Sequence, residues 1–145
     1  MEIKITYLKK VQTCHTSEDS TIRCGENAAL RWHNGLKEYR IVSVKDSTYK
    51  VNPIPLWVQK RLFQFPVFTH LIWHKKLYQS KGRIYNYITQ NNETITRKHA
   101  DQLFFAIMLR MGFVERHAQA IYRAARLWGR FAWIDFSKGW YKRIF

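Results

Sequence analysis

Acidic residues are scarce in this chain. It holds 10 Asp and Glu against 25 Lys and Arg, a formal charge of +15 over 145 residues. The shortage is uneven. Residues 1–48 carry 6 acids and 8 bases, whereas residues 49–145 carry only 4 acids against 17 bases. A surface serving solubility alone mixes both signs, so the later part of the chain implies a polyanionic or acidic partner. Nucleic acid, an acidic protein surface and an anionic membrane all satisfy that condition.

Cysteine is limited to Cys14 and Cys24, too few for a disulfide scaffold. Cys14, His15, Cys24 and His33 lack the tight CxxC pair of a zinc site, so two thiols or one loop-closing disulfide is expected and no metal. No apolar run approaches the roughly 18 residues of a membrane span, and MEIKITYLKK alternates and carries charge, unlike a signal peptide. The expected site of action is the cytoplasm or a particle assembled there. The six glycines stand at 25, 35, 82, 112, 129 and 139, too scattered for a phosphate-cradling loop, and there is no Gly-x-Ser-x-Gly elbow. Repeats, low-complexity tracts and linkers are absent, which predicts one domain over 1–145. A hydrophobic content of 46% and an aromatic content of 16% exclude a disordered chain.

The densest pattern lies in residues 96–130. Ala100, Leu103, Phe104, Ile107, Met108 and Met111 recur at three- and four-residue spacing, the mark of one buried helical face. Thr96 suits the N-cap of this helix and Gly112 its C-terminal stop. A second helix follows, with Ala118, Ile121, Ala125 and Trp128 predicted inward. Arg116, Gln119, Arg123, Arg126 and Arg130 are predicted on the opposite face.

Upstream, IKITYL at 3–8 alternates as a strand does. Residues 12–27 are polar and read as a loop. Ala29–His33, a turn at Asn34-Gly35 and Tyr39–Val44 predict a hairpin, and Asp46-Ser47 a further turn before Thr48–Val51. Residues 1–51 are thus mainly β, in one small antiparallel sheet. Residues 52–130 are mainly α. They begin after Pro53 and Pro55, with a short helix over 56–65 stopped by Pro66 and an apolar helix over 67–79. A surface hairpin near 84–95 turns at Gln90-Asn91-Asn92. The expected architecture is α+β, a small N-terminal antiparallel sheet packed with a C-terminal layer of three or four helices.

From about residue 50 to 130 the order of signals resembles the domain of unknown function thirteen-fifty-three, a family of small tailed-phage and prophage proteins. Pro53 or Pro55, Trp57 and Pro66 occupy the early positions. Trp73-His74-Lys75-Lys76-Leu77-Tyr78 stands where a Leu-His-Asp-aromatic-Leu-Tyr motif falls in the family. Arg97-Lys98-His99-Ala100-Asp101 matches its Arg-Lys-x-Ala-Asp helix, and Tyr122 through Gly129 its Tyr-x-x-x-Arg-x-x-Gly ending. The chain departs from the pattern at Lys75, where an acid is usual, and lacks the Thr-Asp pair ahead of the first proline. The family has no settled biochemical activity; the resemblance implies a tailed-phage setting, and together with the missing acidic positions it leads to the expectation of a non-enzymatic structural or accessory component of a virion, assembled in the host cytoplasm and touching other virion proteins.

The candidate partner-binding residues are Arg116, Arg123, Arg126 and Arg130, with Trp140, Tyr141 and Phe145 of an aromatic, basic docking tail over 131–145. Truncation after Gly129 is expected to leave the helix pair folded. Two alternatives stand beside this reading. A hydrolase-like enzyme would use His74 and Asp101, whose bland roles are a packed histidine and an i, i+4 partner of Arg97. His70 and His74 share helical spacing for a metal but lack a third ligand, and Lys75 and Lys76 would repel the ion, so neither metal nor cofactor is expected. A nucleic-acid accessory protein would use the basic half, without any recognised base-reading motif.

Overall fold

The computed structural model describes residues 2–9, 14–16, 21–24, 27–45, 47–50 and 68–138. The chain is α+β; among the described residues, antiparallel sheets precede and flank three helices. The short helix expected over 56–65 lies outside the described residues, as do Trp140, Tyr141 and Phe145.

Strands β1 (Lys4–Leu8), β4 (Ala28–His33) and β5 (Glu38–Ser43) form the main sheet in the order β1-β4-β5. β4 lies in the middle, and its Ala28, Leu30 and Trp32 are fully buried. The hairpin joining β4 to β5 falls where Asn-Gly predicts it, but by a different mechanism. The side chain of Asn34 accepts from the Leu36 and Lys37 amides at 2.9 and 2.8 Å, so the turn spans four residues and Gly35 alone takes a positive φ of +94°.

Two expectations fail in this region. The polar stretch read as a loop contains β2 (Cys14–Thr16) and β3 (Thr21–Cys24), which pair antiparallel with Cys14 opposite Cys24. The chain also turns at Val44–Ser47, where the Ser47 amide donates to the Val44 carbonyl at 3.2 Å. β6 (Thr48–Lys50) then joins β3 rather than β5. Among the described residues this region therefore forms two three-stranded sheets, not one. Backbone pairing needs no apolar side chain, and hydropathy alone does not report it.

Helix α1 (Phe68–Gln79) buries Ile72, Trp73, Leu77 and Tyr78 almost completely, as its apolar circumference predicts. β7 (Arg83–Asn86) and β8 (Asn91–Thr94) form the expected hairpin, turning at 87–90 rather than 90–92. Asn86 is the link between this hairpin and the main sheet. Its carboxamide accepts from the Arg40 amide at 3.0 Å and donates to the Glu38 carbonyl at 3.1 Å, while the Tyr87 amide donates to the Arg40 carbonyl at 2.9 Å. These bonds close the outer edge of β5.

Helix α2 (Arg97–Arg110) begins at Thr96, whose hydroxyl accepts from the His99 amide at 3.1 Å. It ends in a Schellman motif: the Phe113 amide donates to the Met108 carbonyl and the Gly112 amide to that of Leu109, with Gly112 at φ +90°. Helix α3 (Glu115–Lys138) runs back along α1 and α2 without a break at Gly129. Residues 131–138 are thus helix and not a separate tail. Trp133 packs edge-on against Tyr78 with ring centres 5.1 Å apart, and Ala132 joins the core beside it. Cutting after Gly129 would remove core, contrary to the expectation that the helix pair survives it. No helix among the described residues is long and apolar enough to cross a membrane.

His99 ties α2 to the sheet. Its Nε2 accepts a hydrogen bond from Trp32 Nε1 at 3.0 Å, and its ring meets Trp32 and Tyr39 edge-on. Burial lowers the pKa of His99 and also that of His74. The native protein therefore keeps both neutral where the unfolded chain, with histidines near pKa ~6.5, takes up protons. Stability is full above that value and falls as pH drops below it, by at most about 1.4 kcal/mol per pH unit for each histidine. Chemical denaturation between pH 7.5 and 5 should show this slope, and His99→Gln should flatten it. A stability that does not change across that range would contradict the burial of neutral imidazoles.

Candidate functional site

Asp101 is fully buried in the second turn of α2. A carboxylate taken out of water needs partners for both oxygens, and four side chains supply them. Oδ1 receives His74 Nε2 at 2.9 Å and the Tyr78 hydroxyl at 2.6 Å. Oδ2 receives Arg126 Nη1 at 2.8 Å and Arg97 Nη1 at 3.2 Å. The spacing of four between His74 and Tyr78 puts both on one face of α1, and the spacing of four between Arg97 and Asp101 does the same on α2. Arg126 arrives from α3. One carboxylate thus joins the three described helices.

The electrostatics follow from this enclosure. Burial alone would raise the Asp101 pKa, but hydrogen bonds from His74, Tyr78 and Arg126 outweigh it and hold the group below the usual carboxylate range. Burial lowers His74 despite its bond to Asp101, so the imidazole is neutral and donates through Nε2. Burial and the adjoining Asp101 push the Tyr78 hydroxyl up. Burial also lowers the neighbouring Lys75 and Lys76 ammonium groups to about 8.

Close approach of the helices depends on small residues. A Cβ added at Gly129 would collide with the Tyr78 hydroxyl and stand 3.0 Å from Arg97 Nη1. Arg97 also donates to the Ala125 and Arg126 carbonyls of α3 at 3.1 and 3.3 Å. Both sequence readings of Asp101, as partner of Arg97 and as partner of His74, hold at once. Tyr78 and Arg126 complete the set and were not anticipated as members of it.

This arrangement is poorly suited to catalysis. A general base needs a free lone pair within reach of substrate, and the Asp101 oxygens already accept four donors. His74 lies in a stack with Phe104, ring centres 4.1 Å apart, and is 7% exposed. Three surface cavities among the described residues are lined by other side chains. No group of three or more His, Cys, Asp or Glu is placed to hold a metal among the described residues, and the His70 side chain lies outside them.

The outer face of α3 differs from its sequence reading. Arg116, Arg123 and Arg130 point outward as expected, but Arg126 turns inward to Asp101. Seven-residue spacing sets the three outward arginines in one row, about 10.5 Å apart at 1.5 Å per residue. Trp128, expected in the core, is 69% exposed, and Leu127 beside it is 67% exposed. From residue 115 to 134 the only acid is Glu115.

Protein-family models, curated proteins and solved structures contain no match to this chain.

Proposed function

We propose that the protein is a non-enzymatic structural or accessory component of a tailed-phage particle, assembled in the host cytoplasm. It docks on other virion proteins through the outer face of α3. The observation that carries this reading is the pair Leu127 and Trp128, both about two-thirds exposed on the same helix as the outward Arg116, Arg123 and Arg130, with Leu127 bordering that row. Tryptophan and arginine are enriched at interface hot spots, and large apolar side chains left in water suit a binding face.

The family resemblance supports the setting. His74, Tyr78, Arg97, Asp101, Arg126 and Gly129 come from three separate motifs and meet around one carboxylate. A motif set with a shared structural task suits a scaffold whose outer surface carries function. Trp140, Tyr141 and Phe145, outside the described residues, are proposed as further partner-binding residues from their aromatic character alone. Mass spectrometry of purified particles tests the reading: the protein should appear at a fixed ratio to the major structural protein. Its absence, or a ratio that varies between preparations, would overturn it.

The arginine row favours a second reading, weak non-specific binding of nucleic acid. With three outward arginines, the slope of log K against log salt for duplex DNA should be about −2.7. A titration showing no binding at low salt, or binding indifferent to salt, removes it.

A further inference from the structure

The main sheet has two edges, and they differ. Asn86 and Tyr87 close the β5 edge. β1 pairs with β4 on one side and with no strand on the other among the described residues. An open edge offers amide and carbonyl groups to any extended chain that can lie beside it. Two features guard it: an irregularity in the register between Ile5 and Tyr7, and Arg110, whose Nη1 donates to the Ile5 carbonyl at 3.3 Å.

Beside β1 runs an open groove of about 770 Å³ bounded by β1, α2 and α3. Ile3 and Ile5 supply its strand wall. Phe105 and Tyr122, ring centres 5.6 Å apart, supply apolar surface from the two helices. Arg110 and Arg123 are exposed on its lining, and Glu2 is its one acid. The groove is thus apolar within, cationic around, and bordered by an unpaired strand.

We infer that this groove binds an extended, carboxylate-bearing segment of another protein. The segment lies along β1, places apolar side chains against Phe105 and Tyr122, and directs its acids to Arg110 and Arg123. A second copy of the same chain is a poor occupant, because two bodies of formal charge +15 repel. The inference is independent of the particle reading, since isolated protein suffices to test it.

The test is fluorescence anisotropy with a labelled octapeptide of alternating valine and glutamate. Comparison peptides alternate serine with glutamate and valine with lysine. The valine–glutamate peptide should bind about tenfold or more tightly than either comparison. The double variant Arg110→Glu/Arg123→Glu should lose that preference. Arg83→Glu/Lys98→Glu, an equal charge change at exposed sites that do not line the groove, should keep it. Circular dichroism establishes that both double variants fold, and Tyr122→Ser, which leaves every charge in place, should weaken binding independently. Equal affinity for the serine–glutamate peptide, equal loss in both double variants, or no binding of the valine–glutamate peptide overturns the inference. Displacement of the peptide by duplex DNA with equal loss in both double variants would mark a general cationic surface instead.

Discussion

Asp101→Ala should lower the unfolding free energy by about 3–5 kcal/mol, because removing one side of a buried ionic cluster leaves the other side uncompensated. Arg97 and Arg126 would keep their charges with 19% and 30% of their side chains exposed, and His74 and Tyr78 would each lose an acceptor. For a chain of this length the thermal midpoint should fall by roughly 6–20 °C, at about 2–4 °C per kcal/mol. The result also separates two functions. Residues of an active site hold strain that their removal relieves, so catalytic substitutions tend to be neutral or stabilising. A cluster that joins three helices gives the opposite sign. An Asp101→Ala protein as stable as the wild type would return His74 and Asp101 to the list of catalytic candidates.

Gly82→Ala should be comparably damaging, at a loss of about 3 kcal/mol or more, since backbone strain and overpacking each cost about 1–3 kcal/mol. Gly82 holds φ at +78°, and an added Cβ would overlap the Ile95 carbonyl and stand 3.1 Å from the Trp133 ring. Its amide donates to the Leu77 carbonyl at 2.8 Å, and its own carbonyl accepts from the Ile95 amide at 2.9 Å. The residue therefore ends α1, positions the start of α2 and seats Trp133 together. Equilibrium denaturation measures the loss. A change under about 1 kcal/mol would show that the backbone relaxes at little cost, and that the junction is less tightly specified than its geometry states.

The helices were legible because a buried stripe repeats with the helical period, and Thr96 and Gly112 carry the chemistry of a helix start and stop. Hairpins were legible from Asn34-Gly35 and from the amide-rich turn near residue 90. What escaped the sequence has physical reasons. The stripe Ala118, Ile121, Ala125, Trp128 assumes that the largest apolar residue faces inward. In the structure Ala118, Ile121 and Ala125 do face the neighbours of α3, and Gly129 and Ala132 rather than Trp128 continue that side. Small residues allow the backbones to approach, and Trp128 is turned out. The same rotation brings Arg126 in, where Asp101 supplies a counter-charge that helical periodicity cannot reveal. The strands at 14–16 and 21–24 have polar sequences, so only their backbone pairing identifies them. The site residues divide accordingly. His74 and Asp101 were singled out and do meet, while Arg116, Arg123 and Arg130 were placed correctly on the surface.

The docking face proposed for α3 is open to one direct measurement. Leu127→Ser/Trp128→Ser changes two exposed side chains and should alter stability by about 0.5 kcal/mol or less for each. Mass spectrometry of purified particles assembled with this variant gives its ratio to the major structural protein, with wild-type protein as reference. The face predicts a normal thermal midpoint and a ratio reduced about tenfold or more, the loss expected when an interface anchor is removed. A variant that folds normally and enters particles at the wild-type ratio would contradict it.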